Sequence, residues 1–368
     1  MHIYIHIPFC DRKCSYCRFA SIWRLQELQI ENYVLSLIDE IKTSKYISQE
    51  KIKTLYFGWG TPGVLNLSQL ERIFAVLKQK YIFDENIEIT LETTPTNAVK
   101  QNIQAWEKVW INRVSMWVQT LNQKALEEIQ RGNKWDIFEA LENLKNTSIK
   151  NISIDFILWL PYVAKWEISQ DIINICEKYD FITHISVYML EEYYEADKII
   201  EHKYDEITYP ENWVDLGLQD EDFEEEYKQT QKTLENLWFH KYEISNYAKW
   251  EYECEHNKAY WSHKNMFAFW LWAYWYFENT RFRNSENFLD YYARKNIILE
   301  KNSPQDVFIE NLMFELRTSW ITQETKNNLD NKKINYFIKN NYLQEKNNKI
   351  ILTHRWFPVM DYILWEIL

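Results

Sequence analysis

Short β-branched runs alternate with longer amphipathic stretches through the first half of the chain. The runs Ile3–Ile7, Thr54–Phe57, Ile87–Glu92, Arg113–Gln119, Ile152–Leu158 and His184–Met189 predict six strands. Between them, apolar residues recur at helical spacing in Ile30–Ile41, Leu70–Leu77, Trp106–Val109 and Phe138–Leu144. In the first of these the buried stripe is Tyr33, Val34, Leu37, Ile38 and Ile41. Ser68 with Glu71 three residues on reads as a capping box opening the second helix. Strand–helix alternation implies a parallel sheet, so the fold class is α/β, an open or partial (β/α)6 barrel. Cys10, Gly58, Glu92, Gln119 and the turn Asp155–Pro161 all fall near carboxyl ends of predicted strands. In such folds the loops at those ends carry function, so these residues point to one shared site.

After about residue 200 the pattern changes. Asp220–Glu226 is an acidic run that reads as a solvated helix start, with helix continuing to Leu237 and a strand-like Lys241–Ser245 beyond. From Ser303 a helix (Pro304–Leu316), a second helix (Thr325–Lys339) and a hairpin-like end are expected, with Asn302-Ser303-Pro304 as the junction. This divides the chain into a barrel over 1–200, an extension over 201–300 and a small C-terminal helical, winged-helix-like unit over 301–368.

Charge and cysteine content narrow the function classes. The 368 residues carry 42 Lys and Arg against 54 Asp and Glu, a net charge of −12, which disfavours nucleic acid and anionic lipid as partners. The most membrane-like stretch, Phe267–Phe277, is far shorter than the ~20 residues a spanning helix needs. MHIYIHIPFC lacks the form of a secretory signal, and 5 cysteines point to reduced thiols, so a cytoplasmic protein that is not an integral membrane protein is expected. Glycine is the anomaly. Average usage of ~7% would give about 26 glycines, whereas the chain has 5, alongside 18 tryptophans.

Cys10, Cys14 and Cys17 stand on one loop after the first strand. Three thiolates there can each take one iron of a cubic cluster and leave the fourth iron open. A zinc knuckle completed by His2 or His6 is the alternative. The CxxxCxxC spacing within YIHIPFCDRKCSYCRF resembles the radical S-adenosylmethionine superfamily, and within it the family of oxygen-independent coproporphyrinogen III oxidase and the haem chaperone HemW. The likeness runs on through YFGWGTP (56–62), EITLETTP, NRVSMWVQTLN, DFILWLP and KYEISNYAKWEYECEHNKAYW. Two departures are Thr93-Thr94-Pro95, where the family has an Asn-Pro approach, and Leu158, where tyrosine is common.

The resemblance implies a [4Fe-4S] cluster on Cys10, Cys14 and Cys17. It implies S-adenosylmethionine held by Tyr4, Tyr16, the turn Gly58-Trp59-Gly60-Thr61, Glu92, Gln119, Arg131 and Asp155. It also implies haem as cargo, with His256, Asn257, Tyr260 and Trp261 of the HNxxYW block as its candidate site and His6 and Cys254 next. The bland reading of that block is packed core, and Cys176 reads as a small buried side chain. Where the oxidases carry a fourth cysteine two places beyond the third, this chain has Phe19 after Arg18, and little chain precedes Cys10. Both favour a haem chaperone that delivers to haem-accepting respiratory proteins over an oxidase acting on coproporphyrinogen III. Ten tryptophans (Trp59, Trp110, Trp117, Trp159, Trp238, Trp250, Trp270, Trp272, Trp320 and Trp356) stand on family glycine positions. A gene that uses UGA for glycine, read as though UGA meant tryptophan, would produce that pattern, whereas Trp261 matches a family tryptophan.

Overall fold

The computed structural model describes residues 1–17, 21–23, 26–44, 50–190, 220–293, 295–318, 321–346, 349–353 and 360–367. Six parallel strands run in sequence order: β1 (His2–Ile7), β2 (Ile52–Trp59), β3 (Phe83–Thr93), β4 (Arg113–Gln119), β5 (Asn151–Leu158) and β6 (His184–Met189). The helices α1 (Glu27–Thr43), α2 (Leu67–Lys80), α3 (Lys100–Lys108), α4 (Gln123–Glu128), α5 (Lys134–Leu144) and α6 (Glu167–Lys178) connect them.

Each of these strands alternates. Ile3, Ile5 and Ile7, then Leu55 and Phe57, Ile89 and Leu91, Val114 and Met116, Ile152 and Ile154, and Ile185 and Val187 are buried in one continuous apolar core. Full burial of such a side chain contributes roughly 1.5–3 kcal/mol. The intervening residues are polar: His2, Tyr4 and His6; Thr54 and Tyr56; Glu88, Thr90 and Glu92; Arg113 and Ser115; Ser153 and Asp155; His184 and Ser186. Side chains on successive strand residues point to opposite faces, so the concave face of the sheet is a polar lumen.

The N-cap of helix α2 lies two residues before the predicted one. Asn66 is the N-cap, accepting from Gln69 N–H at 3.0 Å while Gln69 Oε1 accepts from Asn66 N–H, so Ser68 and Glu71 lie inside the helix. Asn66 caps in place of Ser68 because its carbonyl oxygen sits where the first free amides of the helix point.

The chain beyond 219 lengthens the same sheet at both edges. Helix α7 (Asp220–Asn236) opens on the acidic run as expected, and is followed by β7 (His240–Lys241) and β8 (Asn246–Ala248), which pairs antiparallel with β6. The predicted strand Lys241–Ser245 is instead mostly the turn between them, held by Glu243 accepting from Ser245 N–H at 2.9 Å. Helix α8 (Glu255–Trp261) leads to β9 (Met266–Phe269), which pairs parallel with β1, and then β10 (Tyr274–Phe277), β11 (Thr280–Asn284), α9 (Phe288–Tyr292) and β12 (Asn296–Lys301). The apolar stretch Phe267–Phe277 is thus two short strands, and no helix among the described residues is long and apolar enough to cross a membrane. Among the described residues the sheet has 12 strands, ordered β12-β11-β10-β9-β1-β2-β3-β4-β5-β6-β8-β7.

Helix α10 (Pro304–Thr318), α11 (Gln323–Lys326), α12 (Asn331–Lys339), the hairpin β13 (Leu343–Lys346) and β14 (Lys349–Leu352), and α13 (Met360–Ile367) gather around their own core of Leu312, Leu316, Ile334, Phe337, Ile350 and Ile363. The single helix expected over Thr325–Lys339 is broken, because Asp330 caps a new helix by accepting from Lys332 and Lys333 N–H.

Candidate functional site

The cysteine loop is anchored where β1 ends. Cys10 N–H donates to Ile22 O at 3.0 Å and Ile22 N–H returns to Pro8 O at 2.7 Å, so the loop is a closed excursion. Cys10 and Cys14 are 9% and 7% exposed and Cys17 is partly exposed. Burial pushes the Cys10 thiol up to about 11, opposed by the Thr61 hydroxyl, and pushes the Cys14 thiol up as well. The turn after β2 docks against this loop through Gly60 N–H to Ile7 O (2.8 Å) and Thr61 N–H to Phe9 O (2.5 Å). A Cβ at Gly60 would lie 2.5 Å from the Ile7 and Phe9 carbonyl oxygens, so only glycine fits there.

Glu92 at the end of β3 joins the turn to the lumen. Its carboxylate accepts from Tyr56 Oη at 2.7 Å and from Trp59 N–H at 2.9 Å. Burial raises it to about 7, against the pull of those two donors. The β4 ladder slips between Trp117 and Gln119, and Gln119 has φ 71°, a bulge that turns its side chain toward the cysteine loop. Gln119 Nε2 and Arg131 Nη2 donate to Tyr16 Oη at 2.8 and 3.2 Å, tying the loop to the far strands. Asp155 on β5, 3% exposed, accepts from Ser115 and Ser153 hydroxyls at 3.1 Å each.

Tyr4, Cys10, Cys14, Tyr16, Cys17, Trp59, Gly60, Thr61, Glu92, Gln119, Arg131 and Asp155 all line one cavity of about 440 Å³ at the carboxyl ends of the strands. Gly58 lies just beneath, where a Cβ would meet the Tyr56 and Tyr4 rings at 2.8 and 3.0 Å. Two buried polar atoms of that wall, Gln119 Oε1 and Arg131 Nε, have no hydrogen-bond partner. Buried polar groups are ordinarily satisfied, so these two fit a polar ligand in the cavity. Among the described residues no three His, Cys, Asp or Glu side chains converge on a single metal ion, as a zinc site requires. A cubic cluster instead takes each cysteine on a separate iron. His2, one alternative zinc ligand, is bonded to Thr54 Oγ1 (2.9 Å) at the opposite end of β1.

The radical SAM superfamily pattern matches residues 4–201, from β1 through the whole six-stranded half. The chain belongs to the radical SAM superfamily. Among curated radical SAM relatives, a haem chaperone HemW of Buchnera aphidicola (from Schizaphis graminum) is 28% identical, covering 95% of this chain and 90% of that one. The haem chaperone HemW of Bacillus subtilis is 31% identical, covering 79% and 76%, which places the chain in the HemW family. The solved coproporphyrinogen III oxidase of Escherichia coli, described as a radical SAM enzyme, shares the fold with a TM-score of 0.78 at 17% identity, over 99% of this chain and 88% of that one.

The second constellation is not brought to this site. His256 faces into the lumen from α8, 6% exposed, with Nδ1 2.7 Å from Thr54 Oγ1 and its ring 4.8 Å from that of Tyr56. Glu88 on β3 accepts from Glu255 and His256 N–H at 3.0 Å each, so α8 is clamped across the amino-terminal end of the barrel as a floor. Tyr260 and Trp261 point the other way, against Phe314 of α10 at 5.9 and 5.3 Å. Asn257 is partly buried. The four residues therefore do not form one haem-facing surface, and burial holds the His256 imidazole neutral, at about 3. His6 and Cys254, at 1% and 0% exposure, are equally enclosed. The physical reason is helix geometry: Trp261, five residues on, is turned well away from His256, and Tyr260, four residues on, lies one turn further along α8, where it meets Phe314 of α10 and not the lumen. Arg18 and Phe19, which bear on the branch within the family, lie outside the described residues, as do Trp320 and Trp356.

Tyr56, Ser115 and Tyr188 also line the cavity and escape the sequence reading. Their parity was the available signal: Tyr56 alternates with Thr54, and Ser115 with Arg113, on the polar face of their strands. A pH effect follows from Glu92. Its folded carboxyl titrates at about 7 against roughly 4.3 unfolded. The folded chain thus binds more protons between these values, and stability present in acid is lost as pH rises through 7, by roughly 1–3 kcal/mol given that the carboxylate borders a cavity. Melting temperature should fall between pH 5 and 8, and Glu92→Gln should flatten the slope. Asp171, raised by burial to about 6, adds in the same direction and keeps some slope. An unchanged slope in Glu92→Gln would locate the effect elsewhere.

Proposed function

We propose that the chain carries a [4Fe-4S] cluster on Cys10, Cys14 and Cys17, binds S-adenosylmethionine in the adjoining cavity, and works as a haem chaperone that passes haem to respiratory acceptor proteins. The observation that carries this is the convergence of three cysteines and two unpartnered buried polar atoms, Gln119 Oε1 and Arg131 Nε, on one cavity. Bound and reduced, such a cluster supplies one electron to the ligand's sulfonium. Arg131 presents its guanidinium to the ligand carboxylate, a planar fork matched to that group. Glu92 offers a carboxylate to the ammonium, and an adjacent positive charge lowers its pKa from about 7 into the ionised range. The turn 58–61 brings bare backbone to the methionine portion, and Asp155 takes hydroxyls of the nucleoside.

The haem half of the proposal is supported by the names of the relatives and not by His256. Anaerobically reconstituted protein should hold about four irons per chain and shift the Soret band of added haem on binding. With His256→Gln that shift should persist at the same wavelength, because the imidazole is enclosed. Given coproporphyrinogen III, the protein should leave it unchanged. Formation of protoporphyrinogen would replace the chaperone reading with an oxidase, and absence of any haem-dependent spectral change would remove haem from the proposal.

A further inference from the structure

A line of hydrogen bonds crosses the lumen from floor to cavity. The backbone N–H of Cys254, just before α8, donates to Tyr242 Oη at 3.3 Å. Tyr242 Oη lies 2.7 Å from His184 Nε2, and His184 Nδ1 lies 2.8 Å from Ser153 Oγ. Ser153 Oγ is 3.1 Å from Asp155 Oδ1, on the cavity wall. Cys254, His184 and Ser153 are fully buried, Asp155 is 3% exposed and Tyr242 8%.

The ends of the line give it a direction. A backbone amide only donates, and an ionised carboxylate only accepts. If Ser153 gives its proton to Asp155, its oxygen must accept from His184, which requires the proton on Nδ1. His184 Nε2 is then the acceptor for Tyr242 O–H, and Tyr242 in turn accepts from Cys254 N–H. Every donor is used once. The opposite tautomer would draw the Ser153 proton away from Asp155 and leave Tyr242 Oη with no acceptor. A doubly protonated ring is disfavoured, since burial and the nearby Arg113 guanidinium push His184 well below its ordinary value.

We propose that His184 and Tyr242 are positioning residues for the ligand cavity: through Ser153 they keep Asp155 supplied with a donor on its inner oxygen, so that its remaining acceptor capacity faces the hydroxyls of a bound nucleoside. The proposal rests on the reading of the cavity as a nucleoside site. It gives Tyr242, which the sequence offered only within a strand-like run and a stretch of family likeness, a part in the chemistry at the other end of the barrel. Ser115, donating at 3.1 Å to Oδ2, and the neighbouring Ser186 hydroxyl hold the rest of the fixed side of the carboxylate.

Two measurements decide it. In protein labelled with ¹⁵N-histidine, the His184 resonances, assigned by their loss in His184→Gln, should report a neutral ring protonated at Nδ1. Protonation at Nε2, or at both nitrogens, overturns the relay whatever the ligand does. Second, calorimetric titration of the reconstituted protein with S-adenosylhomocysteine should show five- to tenfold weaker binding in Tyr242→Phe, which removes one hydroxyl that touches no ligand; because it leaves His184 Nε2 and the Cys254 N–H without their partner, the variant should melt lower, and the titration is run well below that temperature. Equal affinity in Tyr242→Phe overturns the positioning role. If the unaltered protein shows the Nδ1 tautomer but binds no S-adenosylhomocysteine, the relay stands and the nucleoside reading of the cavity fails. Should Tyr242→Phe not fold, the tautomer alone decides.

Discussion

Peptide mass spectra of the protein isolated from its own cells should read glycine, not tryptophan, at positions 59, 110, 159, 166, 238, 270 and 272. All seven residues have positive φ, from 59° to 95°. Left-handed backbone costs a residue with a Cβ roughly 1–2 kcal/mol, most of all a bulky one, and costs glycine almost nothing. Seven such penalties approach the ~5–15 kcal/mol stability of a whole domain. Six of the seven were picked out by family glycine positions; Trp166, with φ 69° before α6, is added by the backbone alone. Exposure does not make the distinction. Trp238 is 83% exposed, whereas Trp270 is 3% exposed and packs 4.4 Å from the Tyr33 ring. Trp106, in the last turn of α3 and fully buried, and Trp275, stacked 3.9 Å from Phe282, have ordinary backbone and serve as controls that should read tryptophan. Tryptophan at position 59 in those spectra would dismiss the recoding. A recombinant protein with all 18 tryptophans should be poorly soluble and bind S-adenosylmethionine weakly, since the Trp59 and Trp117 indoles border the cavity. Glycine at 59, 117 and 159 should recover binding.

Cys14→Ser should abolish the brown colour of the anaerobic protein and drop its iron content to near zero. Cys176→Ser should leave both unchanged. Cys14 sits on the cavity wall with Cys10 and Cys17, and a serine oxygen is a poor soft-metal ligand. Cys176, on α6, packs against the apolar core, and burial pushes its thiol up to about 12. Equal bleaching in the two variants would show that the loop does not carry the cluster.

The six strands were readable because each is a β-branched run whose alternate residues serve one core. The cysteine loop and Gly60 were readable because their chemistry is local to a few residues. What escaped depends on distant partners. The HNKAYW block was read as a motif without an element, and its placement as helix α8 is set by distant partners, Glu88 and Thr54. Arg131 and Tyr16 were both named from the resemblance, but nothing in the sequence showed that they bond to each other across 115 residues. The strand expected over Lys241–Ser245 fell on the turn between β7 and β8 because two- and three-residue strands carry too few positions to show a period of two. The helix break before Asp330 was missed because Asp inside an apolar pattern reads as a surface residue unless its capping role is weighed.

With α8 clamped across the amino-terminal end of the barrel, the described residues plug the lumen on that side. Traffic to the cavity at the carboxyl ends of the strands therefore does not pass through the barrel, and the floor acts as a backstop against which the polar wall of the cavity is braced.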